Sequence, residues 1–386
     1  MWGKNLELNK KIEQFTVSND YLLDKKLLKY DCYASIAHAK MLHKTNILTE
    51  KELNQCIKCL NEIILMDKKK IFEIKQEDED CHTAIENYLV KKLGKTGKKI
   101  HTGRSRNDQV QAALRLYYKD ELNNVKYLAN SLIKSMEKFE KKYGKIKLAG
   151  YTHTQKAMPS SIALWSGSFI DSMQDNLELI NLSIKLIDQN PLGSGAGYGL
   201  PIKINKQLTA KLLNFSKIQE NPLYVQNSRG KFESTILHSL TQIMLDLNKI
   251  ASDLIFFNLP ELGYVELPDD FCTGSSIMPH KKNPDVLEIL RAKYPVVLAC
   301  EFEVKSIIGN LISGYNRDLQ LTKEPTLKAI GIAKDCLEVA ILLFENLKVN
   351  EKNCKKSLAE EIFSVEKTMK LVKEGMPFRD AYLKNK

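Results

Sequence analysis

The chain is predicted to be all-α, organised around a bundle of long helices. Three observations lead there. Ile236, Leu240, Ile243, Leu247, Ile250 and Leu254 recur by steps of four and three, which puts them on one face of a helix. Two further stripes do the same: Leu114, Tyr118, Leu122, Val125, Leu128, Leu132, Met136 and Phe139, then Trp165, Phe169, Met173, Leu177, Ile180, Ile184 and Ile187. Each stripe outruns the usual globular helix, and long helices with one apolar stripe each pack as a bundle.

Taken in order, residues 20–44 and 49–65 form shorter helices, the second opened by Thr49 and Glu52 at capping-box spacing. The acidic turn QEDEDCHTAIE leads into another helix, and the Gly- and Lys-rich stretch 93–108 reads as a domain junction. Residues 188–204, DQNPLGSGAGYGLPIKI, form a loop by their Gly and Pro content. Pro284 suits the first turn of a helix that continues through Leu287, Leu290 and Tyr294 and is kinked by Pro295. A short helical tail follows residue 350, and Gly375 and Pro377 mark the end of its last helix. The division expected is 1–103, an N-terminal helical domain; 104–350, the central long-helix bundle; and 351–386, a short C-terminal helical domain.

Composition excludes several classes. The chain has 386 residues, 43% hydrophobic and 27% charged, so it can bury roughly three quarters of its unfolded surface without a metal or disulfide staple. The net charge of +11 admits an anionic partner, but Lys is used throughout and few aromatics interleave with it, which argues against a nucleic-acid groove. The longest apolar runs, such as VAILLF at 339–344, are far too short to cross a bilayer. The opening MWGKNLELNKK lacks the apolar core of a secretory signal. Eight scattered Cys, with Cys56 and Cys59 as a lone C-x-x-C, read as unpaired thiols in a reducing compartment. A cytoplasmic protein is expected.

Four polar segments interrupt the helical pattern: HTGRSRNDQ at 101–109, GYTHTQ at 150–155, GSSIMPHKKNPD at 274–285 and GYNRDLQLTKEP at 314–325. All four fall near the ends of predicted helices, where a bundle can bring them together. Their side chains suit a polycarboxylate. Arg104 and Arg106 offer planar forks, Lys281 and Lys323 offer point charge, and Ser105, Asn107, Thr152, Asn283 and Gln320 offer neutral donors. No two of the seven His stand four apart, no G-x-G-x-x-G follows a strand, and GSGAGYG lacks the K-[ST] of a nucleotide loop. Acid–base chemistry on a small anion, with no metal and no cofactor, is what remains. His153 is the natural proton carrier. A Ser in the 274–285 loop is a second acid–base group if Lys281 beside it stabilises the alkoxide.

Together these segments resemble a known family. GSSIMPHKKNPD is similar to the G-S-S-x-M-P-x-K-x-N-P signature of the fumarase/aspartase superfamily. HTGRSRNDQ, GYTHTQ, YNRDLQ, DCHTAIE and GMPFRDAY resemble its argininosuccinate lyase branch, over nearly the whole chain. The resemblance implies a three-domain fumarase/aspartase-like fold, here with a shortened C-terminal domain. It implies cleavage of argininosuccinate to arginine and fumarate through an aci-carboxylate, as the last step of arginine biosynthesis. It assigns Ser275 as the base and His153, oriented by Glu288, as the acid, with the reverse assignment of the two as the alternative. It places Lys281 and Asn283 on a carboxylate, with Ser105, Arg106, Asn107 and Thr152 at the same end. Tyr315, Gln320 and Lys323 would hold the arginine side or the second carboxylate, and Ser18 the arginine part. It also implies a homotetramer whose pockets draw on three chains. The chain departs from the branch at Leu321–Thr322, where an acid-rich stretch is usual, and at NSRGKFE, which keeps Arg229 but not the neighbouring acids. A sibling fumarate-releasing lyase and a catalytically silent structural homologue are the competing readings.

Overall fold

The computed structural model describes residues 9–385; residues 1–8, which include the expected leaderless start, lie outside them. Short helices come first: α1 Lys10–Val17, α2 Asp20–Leu23, α3 Leu28–Lys44, α4 Glu50–Lys68, α5 Cys81–Leu93 and α6 Lys95–Lys99. The long α7, Arg106–Tyr143, leads to the strands β1 Lys147–Thr152 and β2 Gln155–Ser161 and to α8, Ile162–Ile187. Then come β3 Gln189–Asn190, α9 Lys206–Leu212, β4 Lys217–Ile218, α10 Pro222–Asn227 and α11 Lys231–Phe257. The two-residue strands β5 Val265–Glu266, β6 Thr273–Gly274 and β7 Lys282–Asn283 precede α12, Asp285–Ile307, and α13, Lys323–Asn346. β8 Lys348–Val349, α14 Glu351–Lys356, α15 Ser364–Lys373 and α16 Phe378–Lys384 complete the order. The chain is all-α in class, and every sheet among the described residues is a strand pair: β1–β2, β3–β4, β5–β8 and β6–β7.

The predicted stripes are core. All six stripe residues of α11 are wholly buried, as are Leu122, Val125, Leu132 and Met136 of α7 and Met173 and Ile180 of α8. Leu128, Trp165, Leu177 and Ile184 are half-buried. The capping box at Thr49 forms as read: Glu52 N donates to Thr49 Oγ1 (3.3 Å) and Thr49 N to Glu52 Oε2 (2.9 Å).

Four local expectations are corrected. The helix over 20–44 is interrupted by a 3-10 turn at Asp24–Lys26, where the Asp24 carboxylate turns inward to accept from Cys81 N (3.0 Å). Pro284 lies just before α12 rather than inside its first turn. Gly375 and Pro377 do not close the last helix: α16 starts directly after Pro377, whose fixed φ suits a helix entry. GYTHTQ is the tip of a β-hairpin, not a helix end.

The chain separates into two compact units. The first comprises the stretch that ends at Asn123, with Asn181–His238 and Ala299–Ile330; the second comprises Asn124–Ile180, Ser239–Leu298 and Gly331–Lys386. One core of the first unit joins Ala34 and Ala37 of α3 to Ala112 of α7, Leu192, Ala210 of α9, Leu213 and Phe215. In the second unit Trp165 packs against Phe169, Phe257, Phe139 and Phe344 with ring centroids 5.6–6.4 Å apart. Its indole N–H donates to Asp253 (2.9 Å), so the half-buried ring packs with its polar atom satisfied.

Candidate active site

In the first unit, the start of α7 is fixed by its own sequence. Ser105 Oγ accepts from Asn107 N (3.3 Å) while Asp108 Oδ1 accepts from Ser105 N (2.9 Å), a reciprocal exchange of the capping-box kind. This turn presents Arg106 and Asn107 to a cleft of about 70 Å³. Tyr315, Gln320 and Lys323 line the same cleft. Ser105 and Ser18 flank it without lining it. Ser18 is exposed, with φ 50°, and the preceding carbonyls of Thr16 and Val17 accept from Gln320 Nε2 (3.4 and 3.5 Å).

The cleft is densely charged. His82, Arg106, Arg229, Arg317 and Lys323 face Asp20, Glu79 and Asp80. Lys323 is 1% exposed and its Nζ lies 2.7 Å from Asp20 and 2.5 Å from Asp24. Desolvation, the largest single influence, would lower its pKa; the two carboxylates outweigh it and the net shift is upward. His82 Nδ1 sits 3.1 Å from Asp31. Burial again opposes the charged imidazole, but Asp31 prevails and the His82 pKa is raised. Asp31 is lowered: its burial is overcome by His82, then by Arg104 and Gln109. Both shifts favour the ionic form of the pair. Buried charges of this kind hold because each has a partner. By contrast, Glu79 reaches Arg106 (3.5 Å) and Arg317 (3.7 Å) loosely, and its own backbone is left-handed, φ 65°, an uncommon setting for a non-glycine residue.

Arg104, grouped with Arg106 on sequence, does not reach the cleft. It is buried and donates to Ser35 Oγ (2.9 Å), supporting the turn from behind. His82, Asp20, Glu79, Asp80, Arg229 and Arg317 were not among the expected site residues. The acidic turn before DCHTAIE was the available signal, since acids clustered at an interruption need cations near them. Asp24, Cys81 and His82 place one potential metal ligand each within 4.8 Å. Asp24 already neutralises the Lys323 ammonium, and a second cation there would be repelled by it, so these residues do not suit a metal.

The second unit holds the other predicted residues. Thr152 pairs with Gln155 across β1 and β2, so His153 and Thr154 form a two-residue turn with φ 53° and 60°. That is the left-handed geometry hairpins prefer and β-branched residues resist. The turn carries His153 exposed at the hairpin tip. The loop between β6 and β7 is held at its base by Asn283 Nδ2 donating to Gly274 O (3.3 Å) and by Thr273 Oγ1 donating to Asp285. Ser275 Oγ accepts from Ile277 N (3.3 Å) and Met278 N (3.1 Å), turning the loop back on itself. Lys281 is exposed, and so is Glu288 in the first turn of α12. No hydrogen bond or ion pair links Glu288 to His153 within this chain among the described residues.

A profile of the lyase family, described simply as "Lyase", matches residues 6–298. An argininosuccinate lyase of Thermotoga neapolitana is 51% identical over 382 residues, 99% of this chain and 96% of that protein. An argininosuccinate lyase of Bacteroides fragilis is 41% identical over 384 residues, 100% of this chain and 86% of that protein. Among solved structures, an EDDS lyase in complex with formate superposes with a TM-score of 0.81 over 98% of this chain and 75% of that one, at 21% identity, a likeness of fold. The sequence match, unlike the fold, extends to the branch: the chain belongs to the argininosuccinate lyase family of carbon–nitrogen lyases, in the fumarase/aspartase superfamily.

Proposed function

We propose that the protein cleaves argininosuccinate to L-arginine and fumarate as the closing step of arginine biosynthesis. The base removes a proton from the succinyl methylene, and the electron pair moves into the adjacent carboxylate to give a dianionic aci-acid. The C–N bond to the guanidine then breaks, and the acid protonates the leaving nitrogen. Ser275 is the base and His153 the acid in this reading, with Glu288 orienting the imidazole. Lys281, Asn283 and Thr152 stabilise the carboxylate where charge grows. A single preorganised donor of that kind is worth about 3–4 kcal/mol in the transition state.

The observation that carries the reading is the cleft of the first unit, which gathers Arg106, Arg229 and Arg317; Asp80 lies 3.2 Å from Arg106, while Glu79 is held more loosely, 3.5 Å from Arg106 and 3.7 Å from Arg317. A substrate carboxylate displaces Glu79 from Arg106, and the freed Glu79 accepts the substrate's cationic guanidinium. Ser105 and Asn107 belong to the same end as Arg106, and Tyr315, Gln320 and Lys323 hold the arginine side or the second carboxylate, with Ser18 on the arginine part. The reaction needs neither metal nor cofactor.

We propose further that the enzyme is a homotetramer whose sites draw on several chains. His153, Ser275 and Glu288 lack the partners the chemistry demands within one chain. Large apolar side chains on the long helices are also exposed: Tyr127, Leu164, Ile289, Leu298 and Leu342, as an unfilled subunit interface would leave them. The three-part division at 103 and 350 is the frame we propose for that assembly. A cytoplasmic location accords with the reaction; among the described residues no helix is long and apolar enough to cross a membrane.

The test is incubation with argininosuccinate, adenylosuccinate, aspartate and malate, following fumarate by absorbance and arginine by chromatography. Argininosuccinate alone should yield both products in equal amounts. Fumarate from another substrate, or no turnover at all, would sink the assignment.

A further inference from the structure

The glycine-rich loop GSGAGYG has no part in the chemistry above, yet its backbone is unusual. Gly193, Gly195, Gly197 and Gly199 all have positive φ, 94°, 60°, 109° and 79°. Alternating left-handed residues turn successive amides toward one point and make a concavity for an anion. That concavity is filled from within the protein. Gly193 N (3.0 Å) and Gly195 N (2.9 Å) both donate to Asp108 Oδ2, while the other oxygen of the same carboxylate accepts from Ser105 N. Asp108 is wholly buried. Burial pushes its pKa up to about 6, against the three N–H donors and the Arg104 guanidinium that pull it down.

We propose that Asp108 is a positioning residue for the substrate cleft: its carboxylate, seated in the backbone nest of the 193–195 turn, fixes the 105–107 turn and so aims Arg106 and Asn107. The geometry excludes a mere helix cap, because a cap needs only Ser105 N. The two additional donors come from a segment some 85 residues away in sequence. The nest leaves little room for a side chain: at φ 60°, a Cβ on Gly195 would lie 3.0 Å from Gly199 O, so Ala there strains the loop. The role is to hold the binding face equally for substrate and transition state, and loss of such uniform binding raises KM with kcat retained.

This inference rests on the lyase reading, and the experiment separates the two. Wild type, Asp108→Asn and Gly195→Ala are assayed with argininosuccinate, with thermal unfolding and oligomeric state measured alongside. Asn keeps the shape but brings an amide NH₂ against backbone donors; Ala disturbs the nest from its other side. Both variants should raise KM by about 10- to 100-fold, the scale of a misplaced binding group, with kcat within about threefold. An inactive wild type would fail the lyase reading alone. An active wild type with unchanged KM in either folded variant overturns the positioning role. So does a fall in kcat at constant KM, and so does failure of both variants to fold, which would make the clamp part of the core.

Discussion

The charged cleft of the first unit and the signature loop of the second hold their polar groups in opposite ways. In the cleft, Lys323 is buried between Asp20 and Asp24, and His82 is locked to Asp31. In the loop, Ser275 accepts from two backbone amides of its own turn, and Lys281 stands in solvent. The cleft charges are fixed before any ligand arrives, because an ammonium or imidazolium taken out of water must be compensated at once. The loop groups are compensated by water and are free to be recruited. In the assembly proposed above, the cleft would serve as a preformed binding face and the loop as a reactive face. The difference teaches where a substitution will strike: stability in the first case, turnover in the second.

That contrast can be broken experimentally. Its largest effect is expected in the second unit. His153→Asn or Ser275→Ala should lower kcat by about 10³- to 10⁴-fold, the upper part of the range for positioned proton transfer, with the melting temperature essentially unchanged; a loss of stability matching the loss of rate would erase the distinction. Next comes Lys323→Met in the first unit. It leaves the buried Asp24 and the partly buried Asp20 without the ammonium they share and should cost about 3–5 kcal/mol in urea unfolding. A cost near zero would break the contrast, since the cleft charges would then not depend on one another for stability.

A pH series sharpens the comparison further. The raised His82 pKa contributes stability that is fully present below the unfolded value near 6.5 and is lost as pH rises through the folded value. The lowered Asp31 pKa contributes stability present above about 3.9 and lost as pH falls through the folded value. The urea midpoint of wild type should therefore exceed that of His82→Gln most between about pH 4 and pH 6.5, and the gap should narrow on both sides. A gap independent of pH would show that the histidine is held neutral. The smallest effect is Lys282→Ala. Its partner Asp269 is 84% exposed, and such surface pairs contribute little, so the melting temperature should stay within about 1 °C.

Much of the helical frame was legible because its cause is local. The stripe of α11 and the capping box of Thr49 are each written within a few residues of one another. The segments HTGRSRNDQ and GSSIMPHKKNPD were legible as interruptions for the same reason. The hairpin at GYTHTQ was not, since a two-residue turn built on His and Thr lacks the Asn-Gly signal. The ionic pairs of the cleft were not either. Lys323 meets Asp24 across 299 positions of sequence, and His82 meets Asp31 across 51, so no local pattern announces them. Arg104 and Arg106 look equivalent on the page, two residues apart. Only the direction in which α7 starts makes one a support and the other part of the cleft.

The hairpin tip has a consequence for the protein's history. A histidine and a threonine at positive φ cost on the order of 1–2 kcal/mol each relative to glycine. Laboratory evolution for heat tolerance alone would be drawn to Gly at position 153, gaining robustness while discarding the imidazole. A lineage that keeps His there under such pressure is being selected for what the tip does rather than for how firmly it folds.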